Sequence, residues 1–401
     1  MSTLSEGRTP RLTATMREGE RVTPLELFFD LVFVLALTQC TTLMARTPTW
    51  IGLLKGVLAL GMLWWAWTGY AWLTSVVDPE EGSVRLVIFT AMAAMLVAAL
   101  CVPGAFGSEA LLFACAYAVV RAAHIALFTI ASREDPVLRH SVAGLAYSTA
   151  IGAGLLFVAA ATSGALQIGL WGLALVLDMG GPFLFGADGW KLVPGHFAER
   201  HGLIVLIALG ESIVALGVGA RAVIDADVVL AAVLGVIVAA TLWWVYFDVT
   251  ALVAERRLSN AKEGRERNEL ARDSYSYLHF PMVAGIALLA VGLKVTIEHD
   301  GDDPLKLVPT AALLGGAAAY LLAHVAFRLR NVQSLSGRRL VCALVLLALV
   351  PVTLALKTSS LETLAILAAV LSLLIVYEVT RYADVRERVR HQGSPGPGPP
   401  P

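Results

Sequence analysis

Acids, bases and imidazoles recur inside stretches that are otherwise apolar enough to enter a membrane. PLELFFDLVFVLALTQ, from Pro24 to Gln39, opens with Glu26 and Asp30, four residues apart and therefore on one face of a helix. HFAERHGLIVLIALGES, from His196 to Ser212, carries His196, Glu199 and Arg200 near its start and Glu211 deeper in. Helical spacing predicts that the first three share a face and that Glu211 lies about 16 Å further along, almost on the same face as Arg200. Such a stripe could bind a cation, relay a proton, or pair internally. Each charged group costs on the order of a few kcal/mol at the bilayer centre unless it is paired, hydrated or neutralised.

Other candidates for buried or pathway-lining polar residues are Gln39 in the first span, Arg121 and His124 in the fourth, Asp178 in the sixth, Asp248 in the eighth and His324 in the tenth. Arg121 needs a counter-ion, and Asp30, Asp178, Glu211 and Asp248 are the acids available to it; the sequence leaves the choice open. Lys294 and Glu378 lie near span ends, where a long side chain reaches out to the interface. Glu26 also suits a headgroup position in a first helical turn, where the helix dipole favours an acid. His196, Glu199 and His201 contain metal-ligating types, but the pattern is not HExxH and helical spacing turns His201 away from His196, so no metal is expected. No Ser/His/Asp order and no nucleotide-binding loop occurs, so neither an enzyme nor a cofactor is expected. Trp64, Trp65, Trp67, Tyr70 and Trp72 wrap more than one helix face and read first as packing or an interfacial belt.

These residues must be positioned by membrane-spanning helices. Of the residues, 57% are hydrophobic and 15% charged, and mean hydropathy is strongly positive, which excludes an ordinary water-soluble domain. Apolar segments long enough to cross about 30 Å of hydrocarbon recur throughout. Twelve are expected: Pro24 to Met44, Ile51 to Val76, Val84 to Val102, Ala110 to Ala131, Val142 to Ala161, Leu166 to Phe185, Phe197 to Val218, Val228 to Ala251, Tyr275 to Ile297, Leu307 to Phe327, Leu340 to Leu356, and Leu361 to Thr380. Asp178, Gly180 to Pro182 and Asp188 interrupt the sixth, which reads as a broken or partly re-entrant helix.

Charge placement agrees with an even number of spans. Most of the 30 Lys and Arg residues fall on the side of the N-terminus, and only Arg46, Lys55, Arg221, Lys306 and Lys357 fall on the other. The positive-inside rule then places both termini in the cytoplasm. The loop from Ala254 to Asp273 alternates acids and bases, as an ion-paired, solvated extension of the eighth helix would. Nucleic-acid binding has no support. The four cysteines sit in or beside apolar spans without CxxC spacing, as small packing residues do. No cleavable signal is expected from the polar first twenty-odd residues, and the Gly- and Pro-rich end from Gln392 reads as disordered.

Short matches recur in order. LWWAWTGY (Leu63 to Tyr70) resembles LWWVYFDV (Leu242 to Val249), ALTQ (Ala36 to Gln39) resembles ALGE (Ala208 to Glu211), and AYAVVR (Ala116 to Arg121) resembles AYLLAH (Ala319 to His324). Each pair is six spans apart, which predicts two parallel six-helix repeats. The expected organisation is a cytoplasmic tail over 1–23, a first repeat over 24–188, a loop over 189–195, a second repeat over 196–381 with the cytoplasmic loop 254–273, and a tail over 382–401.

ELFFDLVFVLALTQ and HFAERHGLIVLIALGESIVALG, with the WW segments, resemble the bacterial low temperature requirement A (LtrA) family over nearly the whole chain. That resemblance implies a multi-pass membrane protein named for a requirement for growth in the cold. Leu25, Glu26, Phe28, Asp30, Val32, Phe33, Ala36 and Thr38 also resemble the Phe-Ser-Asp first helix of the six-helix-repeat potassium channels, which line their pore with the first helix of each repeat. Phe29 stands where that motif has Ser, and the seventh span lacks its Phe-x-Asp. Three functions are compatible: an ion channel or small-solute transporter, a non-transporting sensor or assembly factor, and, least supported, a membrane enzyme. Expected partners are membrane lipid and an inorganic cation or small solute, with homo-oligomerisation left open.

Overall fold

In the computed structural model, which describes residues 21–80, 82–186, 188–219, 225–298, 303–383 and 386–387, the chain is all helix among those residues. Most of the two expected tails, and Arg221 among the sided bases, fall outside them. The helices are α1 (Pro24–Arg46), α2 (Trp50–Thr74), α3 (Gly82–Cys101), α4 (Ala110–Ala131), α5 (Pro136–Ala160), α6 (Gly164–Leu184), α7 (Pro194–Gly219), α8 (Ala226–Phe247), α9 (Thr250–Ser259), α10 (Arg265–Ala271), α11 (His279–Glu298), α12 (Leu307–Val332), α13 (Gly337–Leu356) and α14 (Ser360–Arg381). Twelve helical segments are long and apolar enough to cross a membrane, and each coincides with an expected span. The sixth differs from its expectation. α6 runs unbroken from Gly164 to Leu184 with Pro182 in its last turns, because a proline there removes a hydrogen bond only where the helix is about to end.

Local chemistry sets the ends. Thr23 caps α1, Pro24 follows at the first helical position, and Glu26 reaches back to the Thr23 backbone to close a capping box. Asp135 caps α5 before Pro136, and Ser359 with Glu362 repeats the capping box at α14. The expected extension of the eighth helix is interrupted: α8 stops at Phe247, α9 restarts at Thr250, and α10 runs into a π-helical segment, Arg272–Tyr277, ahead of α11.

Burial sorts the spans into centre and periphery. In their most apolar windows, 78% of residues are buried in α2 and 28% in α6 and in α13. Exposed side chains such as Leu344, Val345 and Leu347 on α13 and Leu166 and Leu173 on α6 form the lipid-facing surface, where apolar exposure carries no cost. Close approach is possible where side chains are absent: a Cβ on Gly285 of α11 would lie 2.7 Å from the Gly316 carbonyl of α12, and one on Gly316 would lie 2.5 Å from the Leu289 nitrogen. In spans one to six, α1 packs on α2 and α3, α3 on α4, α4 on α5, α5 on α6, and α2 on α6. Spans seven to twelve pack in the corresponding pattern: α7 on α8 and α11, α11 on α12, α12 on α13, α13 on α14, and α8 on α14. The two sets meet where α1 lies against α7 and α11.

Candidate functional site

The α1–α7 seam brings the two polar motifs together. Residue numbers rise together across it, Glu26 beside His196, Asp30 beside Arg200 and Thr41 beside Glu211, so the two helices run parallel. The step from Asp30 to Thr41 on α1 equals the step from Arg200 to Glu211 on α7, which is why both ends of the seam register.

At the first rung both carboxylates are ion-paired. Glu26 is 2% exposed and Asp30 1%. Glu26 Oε2 accepts from the Thr23 backbone N–H at 2.8 Å, while Oε1 accepts from Arg200 Nη1 at 3.0 Å and lies 2.8 Å from His196 Nε2. Asp30 Oδ1 accepts from Arg200 Nη2 at 2.6 Å and from Trp67 Nε1 at 2.8 Å. Arg200 also donates to Thr74 Oγ1 at 3.1 Å and sits 5.5 Å from the centroid of the Trp67 ring. One guanidinium thus forks across two carboxylates, a use for which its planar donor set is suited. Glu26 is both the expected first-turn acid and a buried ion-pair partner.

The second rung is different in kind. Glu211 is 2% exposed, and its oxygens accept from Thr38 Oγ1 at 2.5 Å and Thr41 Oγ1 at 2.7 Å. Among the described residues, no Lys or Arg forms an ion pair with it; Lys294 on α11 lies only within electrostatic range. Five carboxylates are buried among the described residues: Glu26, Asp30, Asp178, Glu211 and Glu378. The other four each have an arginine within 3.0 Å.

The remaining candidates distribute over separate networks. Arg121 takes Asp178 as its counter-ion at 2.9 Å, and Asp178 also accepts from Thr149 at 2.9 Å and Tyr117 at 2.7 Å. His124 lies on the same side of α4 against Gly69 and Tyr70 of α2. His324 stands 2.9 Å from Arg339, which grips Glu378 with two bonds of 2.8 Å. Asp248, at the end of α8, holds Arg386 at 2.6 and 3.0 Å. Gln39 is partly buried, and no chemistry converges on it. Two expectations are corrected. Glu199 is exposed and accepts from the Val22 backbone rather than joining the His196–Arg200 face, because at 100° per residue it projects well to one side of Arg200. Glu378 does not reach out to an interface: it is 5% exposed and clasped by Arg338 and Arg339.

The sequence reading missed Thr38, Thr41, Thr149, Tyr117 and Arg339 as partners. Thr38 and Thr41 sit three residues apart on α1, and that i,i+3 pair of hydroxyls was the available signal. His201, as expected, diverges from His196; it packs among Trp67, Tyr275 and His279 with ring centroids 5.1 to 5.3 Å away.

Comparison with known proteins accords with this architecture. Residues 21–376 match the family of bacterial low temperature requirement A protein (LtrA). An uncharacterized protein of Rhizobium meliloti (strain 1021) is 30% identical over 286 residues, covering 68% of this chain and 69% of the relative. No solved structure matches the chain. This chain is a multi-pass membrane protein belonging to the LtrA family.

Proposed function

We propose that the chain moves a cation, a proton or a small solute across the bacterial cytoplasmic membrane, along the seam where α1 and α7 meet, with Glu211 as the carboxylate that binds the moving charge. The observation that carries this reading is Glu211 itself: buried deep in α7, ligated only by the hydroxyls of Thr38 and Thr41, and without the arginine that neutralises every other buried acid among the described residues. A carboxylate so placed must hold a proton or a cation to be neutral, because an unpaired charge in hydrocarbon is strongly disfavoured. Either ligand can leave. The Glu26–Asp30–Arg200–His196 cluster then acts as a fixed clamp on the same seam rather than as part of the binding site.

Two parallel six-helix halves, both starting in the cytoplasm, are part of the proposal. The ordered sequence matches, the corresponding packing patterns of spans one to six and seven to twelve, and the sidedness of Lys and Arg support them. Gln39 and Glu211 occupy matching places in the ALTQ and ALGE matches, so an acid in one half corresponds to an amide in the other. The chain is proposed to act without catalysis.

A second reading, a non-transporting sensor or assembly factor linked to growth at low temperature, draws on the four carboxylates sealed by arginine, the pattern of a static scaffold. Flux decides between the two. Liposomes holding purified wild type are expected to pass protons or one of a panel of cations, and Glu211→Gln is expected to abolish or reselect that flux while remaining folded. Absence of flux for protons, cations and anions alike would favour the scaffold.

A further inference from the structure

Away from the seam, a cavity of about 40 Å³ opens among α2, α4, α5, the end of α6, the segment before α7 and the π-helical turn. Its walls include Trp65, Thr68, Arg121, His124, Trp190 and Arg272. Trp65, Thr68 and Arg121 are at most 5% exposed, yet Trp65 Nε1, Thr68 Oγ1 and Arg121 Nε have no hydrogen-bond partner among the described residues. Unpartnered polar atoms at such depth are rare in folded proteins and point to a missing ligand or water. Both ring nitrogens of His124 are likewise without a hydrogen-bond partner among the described residues, and five such atoms on the walls of one cavity make a site.

The chemistry of the walls selects the ligand. The indole and guanidinium nitrogens only donate, and the threonine hydroxyl can donate, so the occupant must accept hydrogen bonds. Charge points the same way: Arg121 is balanced by Asp178, whereas Arg272 and Arg330 share the single carboxylate of Asp273 at 2.8 and 3.1 Å. The rim is left cationic. Size sets the rest, since one water needs about 10–15 Å³ of such space and the cavity therefore suits a ligand of on the order of three or four non-hydrogen atoms. Phosphodiester headgroups are too large. Gly69 lets the wall residues pack closely: a Cβ there would lie 2.8 Å from His124 Cε1 and 3.1 Å from Arg121 Nη1 and would displace them. A π-helical turn on the wall fits the tendency of such turns to occur at functional sites.

We propose that this cavity binds a small monovalent oxyanion, of the class of formate, nitrate or bicarbonate, through Trp65, Thr68 and Arg121, with His124 and Arg272 at its edge. The site is separate from Glu211 and stands whether or not the chain conducts. The test is thermal unfolding and calorimetric titration of purified full-length protein with sodium formate and with sodium nitrate, against sodium gluconate, too bulky to enter, at matched ionic strength. Saturable binding and a rise in Tm with formate and nitrate but not gluconate are expected. Thr68→Val should weaken binding roughly two- to tenfold, the range for one lost hydrogen bond, while leaving the protein in gluconate at least as stable as wild type, because the hydroxyl it removes has no protein partner. Gly69→Ala should weaken binding by filling the space. Equal effects of all three salts on wild type would overturn the proposal and leave the cavity to water, as would undiminished binding by Thr68→Val.

Discussion

The two rungs of the α1–α7 seam bury the same functional group by opposite means. At the first, Glu26 and Asp30 pair with Arg200, and His196, Thr74 and Trp67 add further hydrogen bonds. At the second, about 16 Å further along the seam by helical rise, Glu211 meets only Thr38 and Thr41. The contrast teaches that a buried carboxylate on a polar stripe is not by itself a pathway residue; what matters is whether its neutralising partner can depart. An arginine on a neighbouring helix cannot. A proton or a cation can.

This contrast is most exposed to Arg200→Leu, which leaves two carboxylates buried against an apolar side chain. Losses on the order of 3–5 kcal/mol follow from stranding buried charge, and thermal unfolding in detergent should show most of the protein unfolded or poorly recovered. Asp30→Asn is the milder break, because Arg200 keeps Glu26; a loss of roughly 1.5–3 kcal/mol, the scale of a charge-assisted hydrogen bond, is expected by the same assay. Asp135→Ala supplies a yardstick from outside the seam: removing that helix cap should cost about 1 kcal/mol. The Leu138 backbone N–H, with Lys191 and the Val137 N–H, holds the Asp135 carboxyl below the usual carboxylate range. Its contribution is therefore present above the unfolded value of about 3.9 and lost as pH falls, so the deficit of the variant should shrink in acid. Glu211→Gln should change stability least, by under ~1 kcal/mol, since an amide still accepts from one threonine and no buried base is left stranded. A large destabilisation by Glu211→Gln would erase the distinction between the rungs.

Spans were legible because hydrocarbon thickness demands long apolar runs, and Pro24 marked the first helix start; α5 begins at Pro136, ahead of the expected Val142, because Asp135 caps it there. Glu26 with Asp30, and His196 with Arg200, were legible as two clusters near the start of the first and seventh spans, but their joining through Arg200 was not. What stayed hidden depends on contacts between helices. Arg121 had four acids to choose from, and only the packing of α4 against α5 and α6 selects Asp178. Glu378 looked like an interfacial residue by its position in the chain, and only the fold of α13 beside α14 brings Arg339 onto it. The sixth span looked broken because Asp178 and Pro182 were read as interruptions, whereas Tyr117, Thr149 and Arg121 satisfy the acid within an intact helix. Thr38 stood out only as a motif position and Thr41 not at all, since hydroxyls in spans commonly bond their own helix, as Thr38 also does to Val34.

The most direct measurement is carboxyl labelling. A hydrophobic carbodiimide added to the protein in membranes reacts with a buried carboxyl that can take up a proton, and peptide mass spectrometry locates the adduct. Modification is expected at Glu211 and absent in Glu211→Gln, with Glu26 and Asp30 unlabelled because both are ion-paired to Arg200. Labelling at Glu26 or Asp30 with Glu211 untouched would contradict the account.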